Sequence, residues 1–425
     1  MPGKTISEKI LSIKSGVDAR AGDLVICKVD YAMGTDGSVP MALDYFEQMG
    51  GTTVFDPDRI VFVMDHYNPV AGHKTAKLQD RMRVFASKHG ISVHDVGSGI
   101  SHQLMVESGR TRPGGLLVGA DSHSVTGGAL NAFATGIGSS DLAATMICGK
   151  IWLKVPHTIK VILTGRLMPG VYPKDIALAL SGILSADGAA YQTLEFHGSA
   201  TAEMELEDRL VLSNMSVEMG AKAGIFLCDD KCVQYLKGRT IEALQPVEPD
   251  PDAVYSREVT IDVSALEPQV ARPHTVDNVT TLSDAMDTPI QMVYLGTCTG
   301  GRVNDFHQAL AILEKAGRIA AGVKLVVSPA SKEIEAELER DGTLAKLRQF
   351  GATVTVSGCG SCCGTAGPIP TDGVNVMSTA NRNFKARMGN AKASIYLGSP
   401  AACAAAAVTG KITDPDSIQS IRDEN

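Results

Sequence analysis

Aromatic side chains are scarce in this chain of 425 residues, at 5% of the total and with a single Trp. This scarcity argues against a site built from aromatic stacking platforms, as in many proteins that bind single-stranded nucleic acid. A basic excess is also missing, because 47 acidic side chains outnumber 39 basic ones and the net charge is −8. The charge opposes a general attraction to nucleic acid or to anionic membranes, so we expect neither as a partner.

Long apolar runs are missing as well. The longest run, Ala401 to Val408, is far too short to span a bilayer. Met1 to Ser12 contains Lys4, Glu8 and Lys9 and lacks the apolar core of a signal peptide. The nine cysteines are unevenly spaced, which is typical of free or metal-bound thiols in a reducing compartment. We therefore expect a cytoplasmic protein.

The alternation of short β-branched runs with longer helical patterns predicts an α/β protein with mostly parallel strands. We predict three α/β domains, spanning residues 1–156, 157–285 and 286–425, in keeping with the length. The first and third domains end in similar segments, which suggests that they are related by duplication. The predicted elements used below are strands at 60–64, 115–120, 158–164, 292–296, 352–357 and 394–397, and a helical stretch at 129–147.

Three thiols follow predicted strands of the third domain. Cys298 follows the strand at 292–296, and Cys359 and Cys362 form a CxxC pair after the strand at 352–357. A CxxC pair alone fits half a zinc site, a redox pair or two buried thiols. Flanking glycines let the backbone approach a bulky inorganic group, and no further Cys or His pair completes a zinc site. Three thiolates suit a [4Fe–4S] cluster with one iron not ligated by protein.

Four ordered motifs resemble the aconitase superfamily. They are Gly119-Ala120-Asp121-Ser122-His123-Ser124, Gly296-Thr297-Cys298-Thr299, Gly358-Cys359-Gly360-Ser361-Cys362, and Ser378 to Arg387 with its Asn381-Arg382-Asn383-Phe384 core. Length and the C-terminal motif at 411–415 resemble the large subunits of the isopropylmalate dehydratase and homoaconitase branch. The resemblance implies a [4Fe–4S] cluster held by the three thiols in a central cleft between three α/β domains. The adjacent Cys363 is predicted to be a packed thiol, because neighbouring side chains diverge.

The resemblance also implies roles in proton transfer. Asp65-His66 follows a predicted strand and matches the family's proton donor to the leaving hydroxyl, although a satisfied turn would be commoner without the family. Asp121-Ser122-His123 cannot form a hydrolase triad, since consecutive side chains at a strand end point apart. Glu195 matches an active-site carboxylate and would otherwise be taken for a surface residue of a strand. The predicted catalytic residues are Asp65, His66, His102, Asp121, His123 and Glu195.

Two arginines are candidates for binding a substrate with two carboxylates. Arg382 and Arg387 can each pair with a carboxylate through a guanidinium fork, although two surface cations would be commoner out of context. The family match extends this group, and the predicted substrate-binding residues are Ser122, Asn381, Arg382 and Arg387. The chain departs from the family at Gly300, where Asn is common, and at Thr35, where relatives often have His or Gln.

The resemblance implies a second polypeptide. The family's carbon base is a serine on a swivelling domain, in a Gly/Ser-rich loop before Arg, and no such motif follows Arg387. A small partner subunit is expected to supply it. We expect reversible dehydration of a hydroxy-dicarboxylate or tricarboxylate, with 3-isopropylmalate favoured over dimethylmalate, maleate or malate, and homocitrate or homoaconitate. The alternatives of another class are an iron–sulfur protein that senses oxygen or binds RNA, which the acidic charge opposes, and a zinc-stabilised structural protein.

Overall fold

The computed structural model describes residues 2–419, and the first part is built around a sheet of five parallel strands. Its elements are α1 (Ile6–Ser15), β1 (Leu24–Lys28), β2 (Tyr31–Thr35), α2 (Val39–Gln48), β3 (Ile60–Val63), α3 (His73–His89), β4 (Ser92–His94), α4 (Ser101–Glu107), β5 (Leu116–Gly119), β6 (Phe133–Gly136), α5 (Ser139–Cys148) and β7 (Lys150–Lys154). The sheet order is β4-β3-β2-β5-β6, while β1 and β7 form a separate antiparallel ribbon. Every residue of β2, β3 and β5 is buried, as expected for a parallel sheet covered on both faces.

The middle part contains a sheet of four parallel strands in the order β10-β9-β8-β11. Its elements are β8 (Thr158–Thr164), α6 (Pro173–Leu184), β9 (Thr193–His197), α7 (Ser199–Glu203), α8 (Leu206–Met215), β10 (Ala223–Phe226), α9 (Asp230–Leu236) and β11 (Arg257–Asp262). Phe196 and Phe226 stack in its core with ring centroids 4.5 Å apart.

The last part contains a sheet of seven strands in the order β13-β12-β18-β17-β14-β15-β16. Its elements are β12 (Gln269–Ala271), β13 (Val279–Thr281), β14 (Met292–Gly296), α10 (Val303–Ala316), β15 (Lys324–Ser328), α11 (Lys332–Arg340), α12 (Thr343–Gln349), β16 (Thr353–Val354), α13 (Gly360–Cys363), β17 (Asn375–Ser378), β18 (Ser394–Leu397) and α14 (Pro400–Thr409). Residues 269–281, which the predicted boundary at 285 assigns to the middle domain, thus add two strands to this third sheet. The predicted third domain runs to residue 425, and its residues 420–425 lie outside the described range.

The first and third sheets share one strand order. In each, the first of five parallel strands is central, the second and third lie on one side, and the fourth and fifth lie on the other. The last strand of each set leads into a helix, α5 or α14, which ends at a left-handed glycine, Gly149 (φ 68°) or Gly410 (φ 75°). The predicted α/β class with parallel sheets is confirmed, and the common strand order agrees with the predicted relationship between the two domains.

The helical stretch predicted at 129–147 is wrong in its first half. A 3-10 helix, Ser122–Leu130, ends at Asn131 in the left-handed region (φ 59°), and β6 follows before α5 begins. Small residues fit a helical pattern, but Phe133 to Gly136 pair with β5 and are mostly buried. The Ala-rich run forms α14, which is buried in the third domain, and no helix within residues 2–419 is long and apolar enough to cross a membrane.

The N-terminal helix joins the first part of the chain to the middle part. Ile10 and Leu11 of α1 pack in the core of the first domain. At the start of the helix, Ile6 N–H donates to Glu195 Oε2 at 2.9 Å, and Ser7 Oγ donates to Thr193 Oγ1 at 2.9 Å, both on β9. A buried carboxylate at a helix N-terminus is favoured by the free N–H groups and the dipole there.

Candidate active site

The candidate site lies where the carboxyl ends of the first and third sheets meet. In sheets of this kind, ligands bind beyond the carboxyl ends of the strands, where the chain connections diverge. The loop after β3 contacts the loop after β16, because Asn68 Nδ2 donates to Ser357 O at 2.8 Å and Cys359 N–H donates to Asp65 O at 2.8 Å. The predicted proton donor and the predicted thiols are therefore neighbours.

His66 is held between two carboxylates. Its Nδ1 lies 2.7 Å from Asp65 Oδ1, and its Nε2 lies 3.2 Å from Asp121 Oδ2. Asp65 is fully buried, and its other oxygen accepts Ser101 N–H at 2.8 Å. Burial lowers the pKa of His66, but Asp65 and Asp121 outweigh that effect and raise the pKa well above its usual value. The two carboxylates therefore favour the protonated imidazolium form of His66.

Asp121 is surrounded by three histidines. Besides His66, it has His102 Nε2 at 3.1 Å from Oδ1, and the same oxygen accepts His123 N–H at 2.8 Å. Burial raises the pKa of Asp121, but His102, His123 and His66 together hold it well below its usual range. Asp121 thus stays ionised and fixes the three rings around one negative charge.

A second carboxylate, Glu218, connects this group to a substrate-binding candidate. Its Oε1 lies 2.7 Å from His123 Nε2, and its Oε2 accepts Arg382 Nε at 3.0 Å. Burial raises the pKa of Glu218, but His123 and Arg382 lower it overall. Arg382 Nη2 donates to Ser122 Oγ at 2.9 Å, so the guanidinium is held on two sides while remaining partly exposed.

Asp36 fixes the backbone of the His66 loop through hydrogen bonds. Its carboxylate accepts His66 N–H at 2.9 Å, Tyr67 N–H at 3.1 Å and Gln79 Nε2 at 2.9 Å. Burial, with a smaller effect of the Asp65 charge, raises the pKa of Asp36. These three bonds fix the backbone that carries the proton donor.

The three predicted cluster thiols are buried, with Cys298 2%, Cys359 7% and Cys362 1% exposed. Asn381 contacts two of them, since its Nδ2 lies 3.3 Å from Cys298 Sγ and its Oδ1 lies 4.0 Å from Cys362 Sγ. Arg387 Nη2 donates to Cys362 Sγ at 3.5 Å. Donors aimed at sulfur in this way stabilise thiolates, the form that binds iron.

The spacing of the thiols fits a cluster better than a single ion. Among the described residues, two groups have ligand atoms that all lie within 4.8 Å of one another, and the three thiols are not one of them. Those groups are His102 with Asp121 and His123, and Asp36 with Asp65 and His66. Ligands of one zinc ion would converge more tightly, whereas separate irons of a cluster allow wider spacing.

The charge state of the thiols reflects their contacts. Burial raises the pKa of Cys298 to about 12. In the CxxC pair, a hydrogen bond from Cys359 holds the pKa of Cys362 well below its usual value, and Arg387 adds to the effect. Cys363 also lies beside Cys359, whose thiol is the main cause that lowers the pKa of Cys363 to about 7. The Cys363 Sγ contacts the backbone carbonyls of Cys359 at 3.1 Å and Gly360 at 3.5 Å.

The loop after β14 is fixed on both sides of Cys298. Thr297 is a non-glycine residue in the left-handed region (φ 73°), a conformation that clusters at functional sites. Arg302 is 1% exposed, and its Nη2 donates to Cys298 O at 2.8 Å while its Nε donates to Gln103 Oε1 at 3.0 Å. Arg302 therefore positions the thiol loop.

The departure at Gly300 has a steric reason. A Cβ at Gly300 would lie 2.2 Å from Thr379 Cβ, so a side chain such as Asn has no room unless Thr379 moves. Thr35 is buried, and its hydroxyl lies 3.3 Å from Ser38 Oγ.

Lys174 is a buried cation that sequence reasoning missed. It lies on α6, and its Nζ donates to Thr299 Oγ1 at 3.1 Å, Thr379 O at 2.9 Å and Ala380 O at 2.7 Å. These residues flank Cys298 and Asn381, so one side chain of the middle domain ties both loops together. Burial lowers the pKa of Lys174 to about 8, against the opposite effect of nearby Cys298.

Glu195 lies apart from this network. It is fully buried on β9, where its Oε1 accepts Tyr255 OH at 2.6 Å and lies 2.8 Å from His197 Nε2. Its Oε2 accepts the amide at the start of α1. The carboxylate is therefore satisfied by structural partners, none of which is another predicted site residue.

Contacts connect the other predicted residues in one cleft. They are Asp65, His66, His102, Asp121, Ser122, His123, Cys298, Cys359, Cys362, Asn381, Arg382 and Arg387. Sequence reasoning missed Asp36, Lys174, Asn214 and Glu218. Asn214 Oδ1 accepts Asn381 Nδ2 at 3.0 Å, and the Asp36-Gly37 pair after a strand is the one local signal among the four.

Comparison with known proteins covers almost the whole chain. The sequence model of the aconitase family (aconitate hydratase) matches residues 8–410. The 3-isopropylmalate dehydratase large subunit 1 of Thermotoga maritima is 47% identical over 417 residues, 97% of this chain and 99% of that protein. Its counterpart from Methanopyrus kandleri is 45% identical over 414 residues, again 97% and 99%. The homoaconitase large subunit of Thermus thermophilus is 42% identical over 421 residues, 98% of each chain.

Proposed function

The chain belongs to the aconitase family, and we propose that it is the large, catalytic subunit of an iron–sulfur hydro-lyase of the 3-isopropylmalate dehydratase type. The family implies a [4Fe–4S] cluster, which Cys298, Cys359 and Cys362 would hold. With one iron free of protein ligands, the bound cluster supplies a Lewis acid that makes hydroxide a better leaving group. The observation that carries the proposal is the meeting of three buried thiols, a histidine held between two carboxylates and a held guanidinium in one site.

His66 acts as the proton donor to the leaving hydroxyl. Its raised pKa favours the charged imidazolium, and Nε2, 3.2 Å from Asp121, carries the proton that is passed to the leaving hydroxyl. Asp65 keeps the ring oriented through Nδ1. A positioned acid of this kind contributes roughly 10²–10⁴-fold to the rate.

Arg382 and Arg387 bind the carboxylates of the substrate. Arg387 Nε is buried and has no hydrogen-bond partner among the described residues, so a carboxylate would satisfy it. Glu218 and Ser122 hold the Arg382 fork in place before substrate arrives. We assign to Glu218 the active-site carboxylate role expected for Glu195, because Glu218 contacts both His123 and Arg382.

A small subunit supplies the carbon base. The relatives are named large subunits, which implies a smaller partner. Our test is turnover by the purified chain, loaded anaerobically with iron and sulfide, with and without the small subunit of the same organism's 3-isopropylmalate dehydratase. We expect negligible turnover of 3-isopropylmalate by the chain alone and restored turnover by the pair. Strong turnover without a partner would contradict the proposal.

The substrate panel also tests the alternatives. The similarity to a homoaconitase large subunit makes homocitrate the second candidate, followed by dimethylmalate and malate. Anaerobic spectra before and after each acid separate a catalytic cluster from a sensor. A cluster spectrum that changes with 3-isopropylmalate supports the open iron, whereas a spectrum indifferent to every acid favours a non-catalytic role.

A further inference from the structure

The ribbon formed by β1 and β7 has one buried and one exposed face. Val25, Cys27, Ile151 and Leu153 point into the core of the first domain. The exposed face carries three large apolar side chains: Leu24 is 73% exposed, Ile26 65% and Trp152, the single Trp of the chain, 61%. Ile26 and Trp152 are directly opposite each other across the two strands. A contiguous apolar cluster on a surface is typical of a binding site for another protein.

Three lysines complete this exposed face, and none has a counter-charge. Lys28 lies directly opposite Lys150, and Lys154 lies opposite Leu24. Like charges directly opposite on an antiparallel pair destabilise it. None of the three lysines forms an ion pair with another residue in the described range 2–419. The arrangement fits a partner that brings acidic side chains.

A groove connects the ribbon to the active site. It has a volume of about 460 Å³, and its lining extends from Ser122 past Gly136 to Ile151 and Trp152. Ser122 accepts a hydrogen bond from Arg382, so one end of the groove lies beside a predicted substrate-binding residue. A protein seated on the ribbon would therefore stand beside the place where a further catalytic side chain is required.

We propose that the exposed face of the ribbon is a docking surface for the small subunit, which meets Trp152 with apolar side chains and the lysines with acidic ones. This inference rests on the proposed function. A two-fold pair of this chain fits the surface poorly, because such an interface uses the same patch on both copies and would place lysines against lysines.

The experiment compares Trp152→Ser and Lys150→Glu with two exposed control variants, Val84→Ser and Lys315→Glu. Affinity for the same organism's small subunit is measured by anaerobic calorimetry, with turnover, sedimentation and thermal unfolding in parallel. We expect Trp152→Ser to weaken binding by about tenfold or more, as for a buried aromatic anchor. Lys150→Glu should also weaken binding, yet raise the unfolding temperature of the isolated chain, because it turns a like-charge pair with Lys28 into an opposite one. The controls should bind like the wild type.

Each contrary result has a separate meaning. If the wild type binds the small subunit and is activated by it, while both ribbon variants behave identically to it, the docking proposal alone fails. If the wild type neither binds nor is activated, the proposed function fails and the docking proposal with it. If the chain alone sediments as a dimer that the ribbon variants dissociate, the occupant is a second copy and the docking proposal is overturned.

Discussion

The first and third sheets have the same strand order but opposite chemistry at their carboxyl ends. The loops of the first sheet carry Asp65, His66 and Asp121, whose side chains contact one another and are the proposed proton-transfer group. The loops of the third sheet carry the three thiols and Arg382, which suit a metal cluster and an anion. In the function that we propose, one scaffold used twice divides the reaction between a proton-transfer half and a Lewis-acid half.

The middle domain holds the two halves in register. Glu218 bridges His123 of the first domain and Arg382 of the third, and Lys174 ties together the two loops of the third. The comparison therefore predicts that substitutions in the two halves change different measured properties. Substitution of the bridging residue Glu218 should affect substrate binding more than cluster assembly.

We expect the largest effect from substitutions of the thiols, which belong to the half built on the third sheet. Replacing Cys298, Cys359 or Cys362 with Ser should abolish the anaerobic visible absorbance of the reconstituted cluster, because each removes one of three ligands. Cys363→Ser is the matched control, since its sulfur contacts backbone carbonyls. Equal loss of absorbance in Cys363→Ser would contradict this ligand assignment.

Substitution of the proton donor, which belongs to the half built on the first sheet, should leave the cluster intact. His66→Gln removes the proton donor, so we expect kcat to fall roughly 10²–10⁴-fold with an unchanged cluster spectrum. In the wild type, kcat/KM should decline as pH rises through the raised pKa of His66, because the donor must be protonated. The variant should lack this alkaline decline, and its persistence would identify another donor.

Substitutions of two buried glutamates distinguish a residue that connects the two halves of the site, Glu218, from a residue with structural partners, Glu195. Glu218→Gln removes a charge that holds Arg382 and should lower kcat/KM about 10–100-fold, since hydrogen bonds to charged groups contribute about 1.5–3 kcal/mol. Glu195→Gln should mainly lower the unfolding temperature, because its partners are structural. A larger loss of kcat/KM in Glu195→Gln than in Glu218→Gln would reverse our assignment.

The smallest effect concerns the two equivalent helix ends. Gly410→Ala should lower the free energy of unfolding by about 1 kcal/mol, which is the penalty of a left-handed alanine. No clash adds to this penalty, because the nearest neighbour of the new Cβ, Ala320 Cβ, would lie 3.4 Å away. Gly149→Ala should cost more, since its Cβ would lie 2.6 Å from Phe55 Cδ2. Thermal unfolding of the two variants measures the difference, and equal midpoints would argue against the steric contribution.

Much of the fold could be predicted because buried parallel strands appear in the sequence as short apolar runs. The strands predicted at 158–164, 292–296 and 394–397 match β8, β14 and β18 in both bounds. The stretch at 129–147 failed because Ala, Gly and Thr fit helix and strand alike, and pairing with β5 decides between them.

The site residues also divide into those that local sequence motifs reveal and those that only distant contacts reveal. His66, Asp121 and the thiols stand directly after strands, in motifs that sequence displays. Glu218 and Lys174 lie in ordinary helical turns, and their importance depends on contacts 95 to 206 residues away along the chain. The contacts of Glu195 were equally hidden from sequence, since its partner at Ile6 is 189 residues distant.

The bond between Ile6 and Glu195 has a consequence for the order of synthesis. The helix α1 leaves the ribosome well before β9, so its terminal amide finds its acceptor only after β9 has emerged, and Tyr255 completes that carboxylate later still. At about 5–20 residues per second, the wait amounts to roughly 10–50 s. The Ile6 amide must therefore stay without this acceptor until nearly half of the 425 residues exist, although Ile10 and Leu11 of the same helix can pack in the first domain earlier.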